Sequence, residues 1–101
     1  MKFDVEITKT LRITNDDGLL AVLQEGDEVY LKLNFPKMNL WYKERWTQQY
    51  PNGWIKVKID SISSAGRIIT VKTFNHLCTH ISLTQKDILD VSDKAPREEL
   101  I

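Results

Sequence analysis

The sequence lacks the features that define several classes of protein. Its 101 residues include a single cysteine, Cys78, which excludes an intramolecular disulfide and fits a reducing compartment. No apolar run approaches the roughly 18 residues of a membrane-spanning helix. The alternation of charged and apolar side chains over residues 3–9 is also unlike a secretory signal. We therefore expect a cytoplasmic protein with no membrane association.

Glycine is equally scarce, and each of its four positions is isolated at a predicted turn. No glycine-rich loop is therefore available to bind a phosphate group. A nucleophile built from Cys78 with His76 or His80 would lack both a glycine-rich elbow and an orienting third group. These absences predict a non-enzymatic protein with no catalytic residues and no cofactor.

The chain has no net charge, because 14 basic residues balance 14 acidic ones, but the distribution is uneven. Residues 1–31 carry three basic and seven acidic side chains, whereas residues 32–58 carry six basic side chains and only Glu44. Residues 59–101 carry five basic and six acidic side chains. The middle third is therefore basic, which bears on binding partners rather than on fold.

Hydrophobic periodicity predicts mostly β structure. Residues 3–13 alternate apolar and polar side chains with one interruption at Lys9, which indicates one long or bent half-buried strand. Asn15–Gly18 has the composition of a turn. The apolar run Leu19–Leu23 is too short to classify by its period. It fits a buried strand, which we favour, or a two-turn helix with an aspartate cap.

The rest of the chain alternates in shorter segments that are separated by turn residues. We expect further strands over residues 28–35, 54–62, 67–74 and 78–83, then a helix start at Thr84–Asp87 and a closing segment at Ile88–Val91. Residues 36–53 show no sustained period, which predicts a long loop. One domain would span residues 1–91, and residues 92–101 would form a frayed tail.

This order of elements resembles an SH3-like small β-barrel. The resemblance covers residues 26–91 and rests on the order Gly26–Val29, long loop, Trp54–Ile59 with its hairpin partner, and Ile81–Ile88. It implies an all-β fold, a small barrel or roll of five to six antiparallel strands. An added N-terminal strand or hairpin and one short helical turn near the C-terminus would complete it. The superfold by itself implies no function.

The most distinctive feature is the basic and aromatic middle of the chain. Five of the nine aromatic residues, including all three tryptophans, fall within residues 41–54 and are interleaved with lysine and arginine. Single-stranded nucleic acid needs such a surface, because its bases stack on rings and its phosphates attract cations. We therefore predict a nucleic-acid-binding module. Its candidate contact residues are Lys37, Trp41, Tyr42, Lys43, Arg45, Trp46, Tyr50, Lys56 and Lys58.

Other interpretations of this segment stay open. Tryptophan, tyrosine and arginine also dominate protein–protein contacts, so the chain would alternatively be a small protein-binding adaptor or inhibitor. A phage or mobile-element accessory protein that acts on host machinery is one such case. In a purely structural interpretation, Trp41 and Trp46 cover an open barrel end, while Trp54 belongs to the core. A homodimer formed through the N-terminal strand or an open barrel edge is a further alternative.

A metal site at His76, Cys78 and His80 is a weaker hypothesis. On an extended strand these three side chains would share one face, and imidazole and thiolate both bind zinc. Their spacing matches no common zinc pattern, and no fourth ligand is evident nearby. We therefore favour a buried cysteine between two histidines at a strand edge, and no metal.

Overall fold

The fold is built almost entirely from antiparallel strands, which confirms the mainly-β prediction. A computed structural model describes residues 2–5, 10–41, 43–63, 68–75 and 79–94. Eight strands occur in this part of the chain: β1 (Lys2–Val5), β2 (Leu11–Asn15), β3 (Gly18–Leu23), β4 (Glu28–Leu33), β5 (Trp54–Ile62), β6 (Ile69–Thr73), β7 (His80–Leu83) and β8 (Ile88–Ser92). A 3-10 helix, Phe35–Lys37, and an α-helix, α1 (Lys43–Gln49), lie between β4 and β5.

Five of these strands form one sheet in the order β7-β6-β5-β4-β8, with β5 at its centre. Along β5, Ile55, Val57 and Ile59 lie on the buried face, whereas Lys56 and Lys58 lie on the exposed face. The neighbouring strands add to the same core Val29, Leu31, Leu33, Ile69, Val71, Ile81, Leu83, Ile88 and Val91. One face of the sheet is therefore the hydrophobic core, and the opposite face is exposed.

The N-terminal segment forms a separate three-stranded sheet in the order β1-β2-β3. The prediction of one long strand over residues 3–13 is wrong, because β1 and β2 are two strands that pair with each other. Phe3 lies opposite Ile13 and Val5 lies opposite Leu11, so both members of each pair are odd-numbered. Since opposite residues share a face of the sheet, this hairpin has the same period-two pattern as a single strand.

The short apolar run that follows belongs to a strand, β3, and not to a helix. The predicted turn at Asn15–Gly18 is confirmed as a two-residue hairpin turn, with Gly18 at a φ of +117° that favours glycine. The strand is less buried than we expected. Leu23 is buried, but Leu19 and Val22 are 55% and 45% exposed.

The prediction of a long loop over residues 36–53 is wrong, because this segment contains α1 and most of the 3-10 helix. α1 has only seven residues and buries one of them, Trp46, so it shows no hydrophobic period. The Trp46 ring packs edge-on against Phe35 with centroids 5.5 Å apart, and the Tyr50 centroid lies 6.2 Å from that of Trp46. These three rings, the aromatic cluster, attach α1 to the core.

The chain re-enters the sheet through a turn that requires glycine at position 53. Gly53 has a φ of +82°, and a Cβ atom there would lie 2.8 Å from the carbonyl oxygen of Leu33. The backbone N–H of Leu33 donates a 2.8 Å hydrogen bond to the Gly53 carbonyl. The end of the connection is therefore fixed against β4 at the point where β5 begins.

The barrel prediction is confirmed only as a small antiparallel β fold. Within the described residues no ladder joins the outer strands β7 and β8, so the five-stranded sheet is not closed. Instead, β8 approaches β3, to a Cα–Cα distance within 8 Å. The larger sheet has five strands, within the predicted five to six, whereas the N-terminal segment adds three strands rather than the predicted one or two.

The predicted helix start at Thr84–Asp87 is a single hydrogen-bonded turn. The Asp87 carboxylate accepts hydrogen bonds from the backbone N–H of Thr84, at 2.8 Å, and from its hydroxyl, at 3.2 Å. This is the bonding expected at a helix N-terminus. No helix follows, because β8 begins at the next residue, Ile88, whose side chain is buried.

The last described residues follow β8 directly. The hydroxyl of Ser92 donates a 2.7 Å hydrogen bond to the carbonyl of Lys94. Residues 95–101 lie outside the described part of the chain, so the division into a domain over 1–91 and a tail over 92–101 stays a prediction. Neither helix in the described residues is long and apolar enough to cross a membrane.

Trp41 and Trp46 should affect stability very differently. Trp46→Ala removes a fully buried ring and should lower the free energy of unfolding by about 3–5 kcal/mol, or prevent folding. Trp41→Ala is the matched control, because its ring is 83% exposed, and it should change that free energy by less than about 0.5 kcal/mol. Urea denaturation followed by circular dichroism measures both. Equal losses would contradict the placement of the aromatic cluster.

Candidate functional site

The aromatic residues of the basic middle segment do not form one exposed surface. Trp46 and Tyr50 belong to the aromatic cluster, and Trp46 is fully buried, so its ring is not available to stack on a ligand. Trp54 is buried, as predicted, and the Nζ atom of Lys32 lies 6.0 Å from its ring centroid. Trp41 is the exposed tryptophan. The candidate residues therefore separate into a buried and an exposed group.

The basic candidates outside the sheet occupy different places. Lys37 is exposed at the end of the 3-10 helix, Lys43 is half-buried at the start of α1, and Arg45 is exposed on α1. Tyr42 lies outside the described residues. These four positions do not by themselves define a site.

The other two basic candidates, Lys56 and Lys58, lie on the exposed face of the five-stranded sheet. The β5–β6 ladder places Lys58 directly opposite Lys72, and the β4–β5 ladder places Lys56 directly opposite Tyr30. We call this surface, formed by Lys56, Lys58, Lys72, Tyr30 and Phe74, the lysine face. Its three lysines come from two adjacent strands and lie close together because opposite residues of antiparallel strands have neighbouring side chains.

Phe74 gives the lysine face an exposed aromatic ring. It follows the last residue of β6, and its side chain is 59% exposed. The Nζ atom of Lys56 lies 5.7 Å from the Phe74 ring centroid, which is a cation–π distance. One ring and one cation are therefore already adjacent, and the Phe74 side chain remains more than half exposed.

A hydrogen-bonded link joins the lysine face to α1. Asn75 is buried next to Phe74, and its side-chain amide donates to Gln49 Oε1 at 2.7 Å and to the Tyr50 hydroxyl at 3.0 Å. The C-terminal end of α1 therefore lies beside Phe74. Arg45 precedes Gln49 by one helical turn and lies on the same side of α1.

Carboxylates limit the positive charge at the margins of this surface. Three of them lie on the exposed side of the sheet: Glu28, Asp60 and Asp90. Glu28 lies opposite Lys58, and Asp60 follows Lys58 by two residues on β5. The positive charge is therefore concentrated toward the Phe74 end of β5 and β6. That end combines cations with accessible aromatic surface, an arrangement suited to binding phosphates and bases.

The metal-site hypothesis falls mostly outside the described residues. Neither His76 nor Cys78 is among them, whereas His80 is exposed at the start of β7, with Nδ1 3.1 Å from the Thr79 hydroxyl. In the described part of the chain, no three His, Cys, Asp or Glu side chains come together as metal ligands. A role of the three residues in metal binding stays a weak hypothesis.

Sequence reasoning missed three members of the lysine face, Tyr30, Lys72 and Phe74. They come from β4 and β6, and the charge count along the chain did not connect them to Lys56 and Lys58. The sequence pattern could have indicated them, because β4 and β6 alternate apolar and polar residues as β5 does. Antiparallel pairing of these strands with β5 places their even-numbered residues on the same face as Lys56 and Lys58.

Comparison with known proteins assigns no family. No protein-family model matches the chain, and no curated protein and no solved structure matches it either. The function must therefore be argued from the lysine face and the other surfaces of this chain alone.

Removing the like-charge pair on the lysine face should stabilise the protein. Two lysines directly opposite each other repel, so Lys72→Glu should raise the free energy of unfolding by about 0.2–1 kcal/mol. In a Lys58→Gln background the same substitution should give a smaller gain, because its partner is neutral. Chemical denaturation of the four proteins in this double-mutant cycle measures the coupling. An equal effect in both backgrounds would show that the two side chains do not interact.

Proposed function

We propose that this chain is a non-enzymatic binding module for single-stranded nucleic acid and that the lysine face is its contact surface. The main-chain ladder orders Lys56, Lys58 and Lys72 on adjacent strands. Phosphates spaced along a strand would neutralise these cations, and released counterions would contribute to affinity. The ring of Phe74 and the half-buried ring of Tyr30 would stack on bases.

The observation that carries this proposal is the position of Lys58 directly opposite Lys72. A like-charge pair across a ladder costs stability, and although Glu28 lies opposite Lys58 on its other side, Lys72 has His80 in the corresponding position. An anionic ligand between the two side chains would remove the repulsion and add two charge-assisted contacts. A flexible single strand fits this surface better than a duplex, because stacking on Phe74 needs an exposed base.

The topology supports a finer assignment to the SH3-like small barrels, as the sequence resemblance implies. The connection that contains α1 separates β4 from the β5–β6 hairpin, and a single hydrogen-bonded turn precedes the last strand, β8. Both features belong to that superfold. The superfold hosts many functions, so this likeness supports the architecture and leaves function to the lysine face.

Binding to a protein partner is the second candidate, and the exposure of Trp41 favours it. A tryptophan that is 83% exposed is a feature of protein-binding surfaces, where such rings act as anchors. A shallow cavity of about 420 Å³ on α1 is lined in part by Pro36, Lys43 and Thr47. An adaptor or inhibitor, including a phage or mobile-element accessory protein, would use Trp41 and this cavity rather than the lysine face.

Titration of a short fluorescein-labelled oligothymidylate, followed by anisotropy at several salt concentrations, tests the nucleic-acid proposal. Phe74→Ala should weaken binding by about 1–3 kcal/mol through lost stacking. Lys72→Glu should weaken binding and reduce the slope of log affinity against log salt by about 0.7 for one lost phosphate contact. An unlabelled duplex should compete poorly.

Lys86→Glu is the matched control, because it makes the same charge change in the exposed turn before β8. It should leave the salt slope and the affinity nearly unchanged. The proposal is contradicted by absence of binding at low salt, or by equal losses for Lys72→Glu and Lys86→Glu. A loss confined to Trp41→Ala would move the site to α1.

A further inference from the structure

The structure also contains a groove between β3 and β8, where the two sheets approach each other. It has a volume of about 470 Å³, within the range of ligand-binding clefts. Four successive residues of β3, Leu20–Leu23, form one wall, and Val91 and Ser92 of β8 contribute to the other. Val29 of β4 also lines the groove.

The wall formed by β3 is a strand edge. Successive side chains of a strand point to opposite faces, so four consecutive residues can line one groove only if it runs along the main chain. β3 is the outermost strand of the three-stranded sheet, and β8 is outermost in the five-stranded sheet. Such edges present N–H and C=O groups in a row and accept an added strand.

The charge of this groove is opposite to that of the lysine face. Asp27, Glu28 and Asp93 line it, and among the residues that the structure describes no basic side chain does. Asp27 already accepts a 2.8 Å hydrogen bond from the backbone N–H of Gln24, whereas Glu28 and Asp93 are exposed. Apolar side chains between carboxylates complement an occupant whose apolar and cationic side chains alternate.

We propose that this groove binds an extended, basic segment of a partner protein, which adds as a fourth strand along the edge of β3 that pairs with no other described strand. Backbone hydrogen bonds would supply affinity, and the alternation of side chains would supply specificity. The four residues of β3 that line the groove span about 10–13 Å, so the occupant would contribute four or five residues. Lysine or arginine would face Glu28 and Asp93, and apolar side chains would contact Val22 and its neighbours.

The test uses a blocked, fluorescein-labelled peptide of alternating lysine and valine, titrated into the full chain at physiological salt. It should bind, and backbone amide shifts in an NMR spectrum of the labelled protein should move at Leu20–Leu23. A peptide of alternating glutamate and valine should not bind. A lysine–valine peptide with N-methylated backbone nitrogens should also fail, because it cannot complete the ladder.

The variant Glu28→Gln/Asp93→Lys should weaken peptide binding about tenfold. It should bind oligothymidylate no more weakly than the parent, which shows that the domain is folded. Glu44→Lys on α1 is the control and should leave peptide affinity unchanged. The proposal is overturned if the lysine–valine peptide does not bind, if the glutamate peptide binds equally, or if sedimentation shows a second copy of the chain occupying the β3 edge.

Discussion

The register of β5 between its two neighbours is the constraint on which the rest of the molecule depends. Val57 lies opposite Val29 of β4 and opposite Thr73 of β6, so both ladders position the same residue. With this register Ile55 and Ile59 also point into the core. A shift of one residue would bury Lys56 and Lys58 and expose these apolar side chains, which would cost far more than any contact on the surface. The hydrophobic core and the lysine face are therefore two results of one pairing.

The connection between β4 and β5 is held against this sheet by ring packing and by hydrogen bonds. The aromatic cluster combines Phe35, which precedes α1, with Trp46 of α1 and Tyr50, which follows α1. The amide of Asn75 then joins the end of α1 to the end of β6. The most aromatic stretch of the sequence thus serves mainly to fix α1, and the exposed ring next to the lysines comes from elsewhere in the chain.

The parts of the fold that follow from local patterns could be predicted from the sequence. The alternation in β5 predicted a strand with Lys56 and Lys58 on one side, and turn composition predicted the turn at Asn15–Gly18. α1 could not be predicted, because a seven-residue helix with one buried residue has no measurable period. The single strand predicted over residues 3–13 failed for another reason, since a hairpin pairing odd with odd residues preserves the alternation.

Only those members of the candidate site that lie within the basic third of the sequence could be predicted. Lys56 and Lys58 were found because they lie within the basic third of the chain. Lys72 and Phe74 were not, because their proximity to these lysines depends on the β5–β6 ladder, and ladders join residues that are distant in sequence. Trp46 is the opposite case. Its position in the basic, aromatic segment predicted a ligand contact, but its ring is buried in the core. Sequence composition therefore did not predict which aromatic side chains the fold leaves exposed.

The lysine face and the groove between β3 and β8 carry opposite charge in a chain with no net charge. The proposed function requires that nucleic acid contact the lysine face rather than the groove. Titration of the isotopically labelled protein with oligothymidylate, followed by backbone amide shifts, measures this. We predict shifts concentrated at Lys56, Lys58, Lys72 and Phe74, with the groove residues of β3 unchanged. Shifts confined to Trp41 and the start of α1, or no shifts at low salt, would contradict the account.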